Sequence, residues 1–340
     1  MDKGQQTPND AQQRILSGIQ PSGKLHLGNY FGAIKQHIAL QREAQCFYFI
    51  ADYHALTTVR DPEALRQNVR DAALDYLALG LDPDQAIFFR QSDVPEVTEL
   101  AWILATVTNM GLLERAVSYK EKLDKGIEAS VGLFTYPILM AADILIYRSH
   151  LVPVGKDQVQ HLEMTQDIAG RFNRAYGEIF PIPNYRLDKE AKVLGTDGQK
   201  MSKSYGNTIE IFAEGKALKK TVMGIVTDSK TVAEPKDPET CNVFALYSLF
   251  ATEEEKAALA ARYRAGGMGY AEAKGALLEK INAHFATARD RRKALASDPA
   301  YVDGVLQKGS QRARRYAEET MALVRAGVGL REQQPSANRR

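Results

Sequence analysis

Residues 15–29 read Ile15-Leu-Ser-Gly-Ile-Gln-Pro-Ser-Gly-Lys-Leu-His-Leu-Gly-Asn29. The apolar run from Ile15 to Ile19 predicts a buried strand, and the stretch from Asn29 to about Glu43 predicts a helix. Between them, Gly18, Gly23 and Gly28 allow close backbone approach. A strand that runs through a glycine-studded turn into a helix offers backbone N–H groups and a positive dipole end to an anion, so a phosphate is expected there. The spacing matches neither the dinucleotide fingerprint nor the Walker loop, which argues against a dehydrogenase or a P-loop kinase.

Outward from this segment the pattern alternates. A second apolar run, Cys46 to Ala51, completes a strand, helix and strand. The next helix has Asp61 as a cap, Pro62 in its first turn, Leu65, Val69, Ala72, Ala73 and Tyr76 on one face, and Gly80 at its end. A short strand, Ala86 to Phe89, then precedes a helix that begins near Pro95 and carries the only tryptophan, Trp102. Such alternation predicts an α/β fold, a doubly wound, parallel, Rossmann-like sheet that places ligands at the carboxyl ends of its strands. After about Ser204 the strand signals fade into helices near 213–222, 243–250, 253–263, 270–296 and 312–328, a C-terminal helical domain. The expected division is a catalytic domain over 14–204, helices over 205–310, and a final helix over 311–330 packing back on the catalytic part. Residues 1–13 and 331–340 are read as flexible tails, the first because it holds no hydrophobic period.

The composition is that of a globular chain: 340 residues, 44% hydrophobic and 25% charged, with a formal charge of only +2. No global field points at a nucleic acid, so an RNA surface has to be a local patch. Arg289, Arg291, Arg292, Lys293, Arg312, Arg314 and Arg315 could supply it, although a solvated helix face explains any one of them equally well. Cys46 and Cys241 are too few for a four-ligand metal site and read as buried small hydrophobes. No apolar run reaches the length of a membrane span and the polar start lacks a signal peptide, so a cytoplasmic protein is expected.

A second segment carries chemistry. Lys200-Met-Ser-Lys-Ser204 follows Gly195, Asp197 and Gly198 on an expected loop. Two lysines three apart could swing onto a polyphosphate and neutralise charge growing on a leaving group, whereas an isolated KxxK would be only an exposed basic turn. Separately, Tyr136, Met140 and Asp143 fall at i, i+4 and i+7, one face of a helix. An aromatic ring, a soft apolar side chain and a carboxylate on one wall suit a large flat ring with one N–H donor, such as indole; such stripes are also ordinary core.

HLGN at 26–29, which departs from HIGH in its second and last positions, together with KMSKS at 200–204, resembles the two signature motifs of class I aminoacyl-tRNA synthetases. Within that class, SGIQPSGKLHLGNYFGA at 17–33, ADYHALT at 51–57, TYPILMAADIL at 135–145 and VPVGKDQVQHLEMTQDIAGRFN at 152–173 closely resemble the bacterial-type tryptophanyl-tRNA synthetases. The tyrosine enzymes are the nearest relatives and the alternative.

The resemblance implies an enzyme that joins L-tryptophan to AMP from ATP, releases pyrophosphate, and transfers the amino acid to tRNA(Trp). It implies that Asp143 accepts the indole N–H, Met140 packs on the ring, and Tyr136 and Gln158 hold the ammonium, with His54 and Gln20 beside them. For ATP it implies Gln20, Pro21, Ser22, Gly28 and Asn29 in the first motif, Gly155, Lys156 and Asp157 at the ribose, and either Val193 or Leu194 at the adenine. Lys200, Met201, Ser202, Lys203 and Ser204 complete that set, with His26, Lys200 and Lys203 as the catalytic groups. Lys120 and Lys122 resemble lysines that approach the pyrophosphate. Asp157 and Gln160 are also spaced like a capping box. Mg²⁺ is expected on the ATP phosphates rather than in a protein cage, residues 205–310 are implied to form a helical tRNA anticodon-binding domain, and a homodimer is implied. A paralogue with a regulatory or interaction role, using the polar tail, is a further alternative against which the intact motifs argue.

Overall fold

The computed structural model describes residues 13–116, 130–187 and 193–330, apart from the Asp157 side chain. The expected tails at 1–13 and 331–340, Gln13 excepted, and Lys120 and Lys122 lie outside the described residues.

Five strands form one sheet: β1 (Arg14–Ile19), β2 (Gln45–Ile50), β3 (Ile87–Arg90), β4 (Leu151–Val154) and β5 (Asn184–Leu187), in the order β3-β2-β1-β4-β5. Every pairing is parallel. The order reverses beside β1, so its carboxyl end opens on the crevice where doubly wound sheets bind ligands. Two of the strands, β4 and β5, were not predicted. β5 is exposed along its whole length, so it lacks the apolar run that marks a buried strand.

Successive side chains of a strand face opposite ways, and β2 shows the consequence. Cys46, Tyr48 and Ile50 enter one apolar cluster, while Phe47 and Phe49 enter another. On the first face lies α4 (Pro62–Leu79), which begins with Asp61 accepting from Glu63 N–H and ends at Gly80, φ 111°. On the second lie α5 (Glu96–Val107), α7 (Val131–Ile146) and α8 (Val159–Tyr176). Between β1 and β2 the chain forms α1 (Leu27–Asn29), a π turn over Tyr30–Ile34, and α2 (Lys35–Leu40). Two short helices, α3 (Asp52–Ala55) and α6 (Met110–Glu114), complete this half.

The C-terminal helices are α9 (Gly215–Met223), α10 (Asn242–Tyr247), α11 (Glu253–Ala265), α12 (Tyr270–Ala296) and α13 (Pro299–Gly327). The buried residues of α9 to α12, among them Leu218, Val243, Tyr263, Leu277 and Phe285, belong to the same cluster as Ile15, Tyr48 and Val69, whereas α13 gives Val302, Val305 and Leu306 to that cluster and Ala313, Ala317, Met321 and Val324 to the one on the other face. The helical region therefore has no separate core among the described residues; α9 to α12 continue one face of the sheet and α13 reaches both. The boundary expected at 310/311 falls inside α13, because Asp298 caps this helix through Tyr301 N–H and Pro299 opens its first turn. α13 then lies against β3 so closely that a Cβ on Gly309 would sit 1.7 Å from the Phe88 carbonyl oxygen. Only glycine fits there, and the helix covers the edge of the sheet.

The basic residues of α12 and α13 have an unexpected use. Arg292 binds Asp71 at 2.6 Å and Asp75 at 2.5 Å, Arg289 donates to the Ile211 carbonyl, Arg312 to the Pro83 carbonyl, and Arg314 to Glu96 at 2.7 Å. Lys293 meets Glu214 at 2.9 Å. These groups tie the helices to the rest of the chain; Lys293 and Arg314 remain exposed beside their partners, and Arg291 and Arg315 are exposed.

Candidate active site

A cavity of about 550 Å³ opens at the carboxyl ends of β1, β2 and β4. Its deep end is the stripe foreseen on α7: Tyr136, Met140 and Asp143 all line it. Asp143 is 3% exposed. Its carboxylate accepts from Gln91 Nε2 at 2.8 and 2.9 Å and meets His54 Nε2 at 2.8 Å. Burial raises the Asp143 carboxyl above its ordinary pKa, while His54 and Gln91 pull it back down.

Gln91 is itself positioned. Its Oε1 accepts from Tyr53 N–H at 3.1 Å, and Asp52 accepts from Ser92 N–H and Ser92 Oγ, so the turns after β2 and β3 are cross-bonded. Sequence reasoning missed Gln91, because nothing in a QSD turn after a strand distinguishes a ligand-orienting amide from a surface one.

His161, 4% exposed, was missed as well. Its Nε2 meets Tyr136 Oη at 2.5 Å and its Nδ1 meets Gln158 Oε1 at 2.9 Å. An amide oxygen can only accept, so Nδ1 carries the proton, Nε2 is the acceptor, and the Tyr136 hydroxyl donates to it. α8 starts after Gln158, and Gln160 Nε2 donates to the Arg115 carbonyl at 3.2 Å; the Asp157 side chain of the expected capping box lies outside what the structure describes.

The outer end is assembled from the two signature segments. Leu27 N–H donates to the Ile209 carbonyl at 3.0 Å and Ile211 N–H to the Leu25 carbonyl at 3.1 Å, with His26 and Glu210 bridged between them. One of the helix-start N–H groups expected for an anion is thus engaged by the chain that follows KMSKS. Lys203 Nζ reaches back to the Gly23 carbonyl at 3.0 Å and Ser22 Oγ at 3.4 Å. Gly23 permits this with φ 105°, a conformation other residues resist. Gly28 is needed for space, since a Cβ there would lie 2.9 Å from His26 Nδ1.

Gln20, Ser22 and Asn29 line the cavity, as do His54, Gly155 and Gln158. Gln20 Nε2 lies 3.4 Å from Thr58 Oγ1, and Asn29 Oδ1 accepts from His26 N–H at 3.1 Å. Pro21, Gly28, Lys156, Val193, Leu194, Lys200, Met201, Ser202, Lys203 and Ser204 are not among its lining residues. Met201 and Val193 are buried, joined by Met201 N–H to the Val193 carbonyl at 2.9 Å, and they anchor the loop in the core. Leu194 pairs with Lys200, which is exposed. Asn207 clasps the loop: its Oδ1 accepts from Ser202 N–H at 2.8 Å while its Nδ2 donates to Asp197 and the Lys200 carbonyl.

His26 lies beneath this loop, 7% exposed, with Nδ1 buried and without a hydrogen-bond partner among the described residues. Burial and the Lys203 charge lower its pKa to about 4, so near pH 7 it is neutral and acts as a hydrogen-bonding group rather than a cation.

The family described as tRNA synthetases class I (W and Y) matches residues 8–286. The tryptophan–tRNA ligase of Rhodopirellula baltica is 57% identical over 319 residues, covering 94% of this chain and 100% of the relative. The chain belongs to the tryptophan–tRNA ligases.

Among solved structures, the Campylobacter jejuni tryptophanyl-tRNA synthetase complexed with ADP and tryptophan superposes with a TM-score of 0.89 at 51% identity, covering 93% of this chain and 100% of that one. A tyrosyl-tRNA synthetase from Archaeoglobus fulgidus, 20% identical with a TM-score of 0.63, shares the fold alone. As a tryptophan–tRNA ligase the chain is a class I synthetase, and no described helix is long and apolar enough to cross a membrane.

Proposed function

We propose that this cavity is where the enzyme joins L-tryptophan to ATP, giving tryptophanyl-AMP and pyrophosphate before transfer to tRNA(Trp). The observation that carries the reading is a buried carboxylate at one end of the cavity and a loop lysine folded over the glycine turn at the other. Asp143 accepts the indole N–H, Met140 packs on the ring, and Tyr136 with Gln158 takes the ammonium. Gln91, His54 and His161 position those groups. Gln20 lies near the carboxylate and α-phosphate. Gly155, Lys156 and Asp157 meet the ribose, and the backbone at Val193 or Leu194 the adenine.

The tryptophan carboxylate attacks the α-phosphorus in line, so no protein nucleophile is required and catalysis rests on position and charge. Lys203 and Lys200 stabilise the departing pyrophosphate, His26 donates to a phosphate oxygen as a neutral ring, and Pro21, Ser22, Gly28, Asn29 and the serines of KMSKS shape the turn. No group of three or more His, Cys, Asp or Glu gathers to hold a metal among the described residues, so Mg²⁺ would be held by the ATP phosphates, whose charge it would offset.

The helices after Ser204 would carry the tRNA contacts, with exposed Lys216, Lys219, Lys220, Arg291 and Arg315 available for phosphates. A second copy of the chain would cover large apolar side chains exposed on packed helices, Trp102 at 74%, Met110 at 62% and Val131 at 77%. A cytoplasmic location fits this role. ATP–pyrophosphate exchange measured with each amino acid tests the reading: exchange supported by tryptophan alone is expected, and equal exchange with tyrosine would overturn it.

A further inference from the structure

A second cavity, of about 400 Å³, opens at the opposite ends of the strands, where β1 and β4 begin, lined by Arg14, Arg148, His150, Glu178, Phe180 and Pro181. It is remote from the carboxyl ends of the sheet, and no residue assigned to tryptophan, ATP or tRNA belongs to it.

Arg148 is the unexplained residue. α7 closes with Arg148 N–H donating to the Leu145 carbonyl at 2.9 Å and Ser149 N–H to the Ile144 carbonyl at 3.3 Å, the double bond of a helix C-terminal motif. That motif puts Arg148 at φ 50°, the one non-glycine residue with positive φ among the described residues. Glycine or asparagine is usual at such a position because a larger side chain is strained there. Capping therefore does not call for arginine.

Charge within the fold does not call for it either. The carbonyl end of α7 already has a cation, since Arg14 Nη1 donates to the Tyr147 carbonyl at 3.1 Å. The Arg148 side chain makes no hydrogen bond or ion pair with the described residues, and its Nε is buried without a partner. Glu178, the cavity's carboxylate, accepts from Asn173 Nδ2 at 3.1 Å and makes no ion pair with Arg148. Among the described residues the cavity is lined by the guanidinium groups of Arg14 and Arg148 and the carboxylate of Glu178; Arg14, only 8% exposed, is engaged within the fold, whereas Arg148 is not.

We propose that this cavity binds free inorganic phosphate, with Arg148 as its principal ligand. A guanidinium offers planar N–H donors that match two oxygens of a tetrahedral oxyanion, and the buried Nε–H would gain its acceptor. Arg14 adds positive potential. Glu178 selects the protonated oxyanion, because near neutral pH phosphate retains a hydroxyl that can donate to a carboxylate whereas sulfate has none. Occupation would brace the root of β1, the end of α7 and, through the Tyr316 ring over which Arg14 lies at 5.1 Å, helix α13.

Thermal unfolding of the full chain in phosphate, sulfate and chloride at equal ionic strength tests this. Phosphate at tenfold saturation should raise the midpoint by about 2 °C or more over chloride, and sulfate by less than half as much. Arg148→Asn, which suits the left-handed backbone, should fold with an unchanged or higher midpoint in chloride and lose the phosphate increment. Glu178→Gln should bring sulfate level with phosphate. Lys203→Ala identifies phosphate bound in the substrate cavity instead, and should keep the increment. No rise in the wild-type chain, an increment that survives Arg148→Asn, equal effects of phosphate and sulfate on the wild type, or an increment lost with Lys203→Ala would each overturn the proposal.

Discussion

The two ends of the substrate cavity are built by opposite means. At the end proposed for tryptophan a buried carboxylate is held by an amide and an imidazole, and the amide is fixed in turn by a backbone donor, so the geometry exists before any ligand arrives. At the phosphate end the cations sit on an exposed loop, and Lys203 rests on a carbonyl and a hydroxyl that phosphate oxygens can replace. A rigid acceptor discriminates between substrates in the ground state; a displaceable cation is suited to charge that appears only during reaction. Breaking one end should therefore leave the other's function standing.

The largest effect is expected at Lys203. Lys203→Ala should lower the rate constant of adenylate formation by two or more orders of magnitude, on the order of 3 kcal/mol, while tryptophan binding stays nearly unchanged. Lys203→Arg should recover only part, since guanidinium keeps the charge without the compact geometry. Single-turnover kinetics beside equilibrium titration will show the split.

Asp143→Ala should weaken tryptophan binding by about 1–3 kcal/mol, because the buried indole N–H loses its acceptor, and leave ATP binding largely intact. Titration of each ligand separately measures it, and equal losses for both would contradict the division.

The floor of the cavity supplies a pH test. His37 is 3% exposed, bonded to Ser17 Oγ at 3.0 Å, and burial lowers its pKa to about 4. Its folded pKa lies below the ordinary histidine value, so the stability linked to its neutral form is present near pH 7 and is lost as pH falls below about 6.5 toward 4. From pH 7 to pH 5 this residue should account for about 2 kcal/mol of lost stability. Asp75, raised to about 6, has the opposite sign, so the quantity to measure is the wild-type loss minus that of His37→Phe in denaturant unfolding at both pH values.

Smallest is the effect of Gln91→Ala, which removes one support of Asp143. A rise in the tryptophan KM worth about 1 kcal/mol, with kcat little changed, is expected from steady-state kinetics.

The same contrast governs what could be read in the sequence. β1, β2 and β3 were visible because buried parallel strands are short apolar runs, whereas β5 is exposed and left no such trace. Tyr136, Met140 and Asp143 were visible because a helix converts spacing into a shared face. Gln91, His161 and Asn207 were not: Gln91 and His161 act through Asp143 and Tyr136, which are distant in the chain, and although His161 lies within the 152–173 segment and Asn207 just after KMSKS, spacing alone names no partner for either. The pairings of Arg292 and Arg314 were hidden for the same reason: Asp71, Asp75 and Glu96 lie far earlier in the chain, so local charge did not show them.

The most direct test of the division between the two ends is a double-mutant cycle joining Lys203→Ala and Asp143→Ala, read as kcat/KM for tryptophan in ATP–pyrophosphate exchange. Independent ends predict that the double variant's loss equals the sum of the single losses to within about 0.5 kcal/mol. A departure from additivity larger than about 1 kcal/mol would show that the loop cation and the buried carboxylate act as one unit, and would contradict a cavity whose two ends work independently.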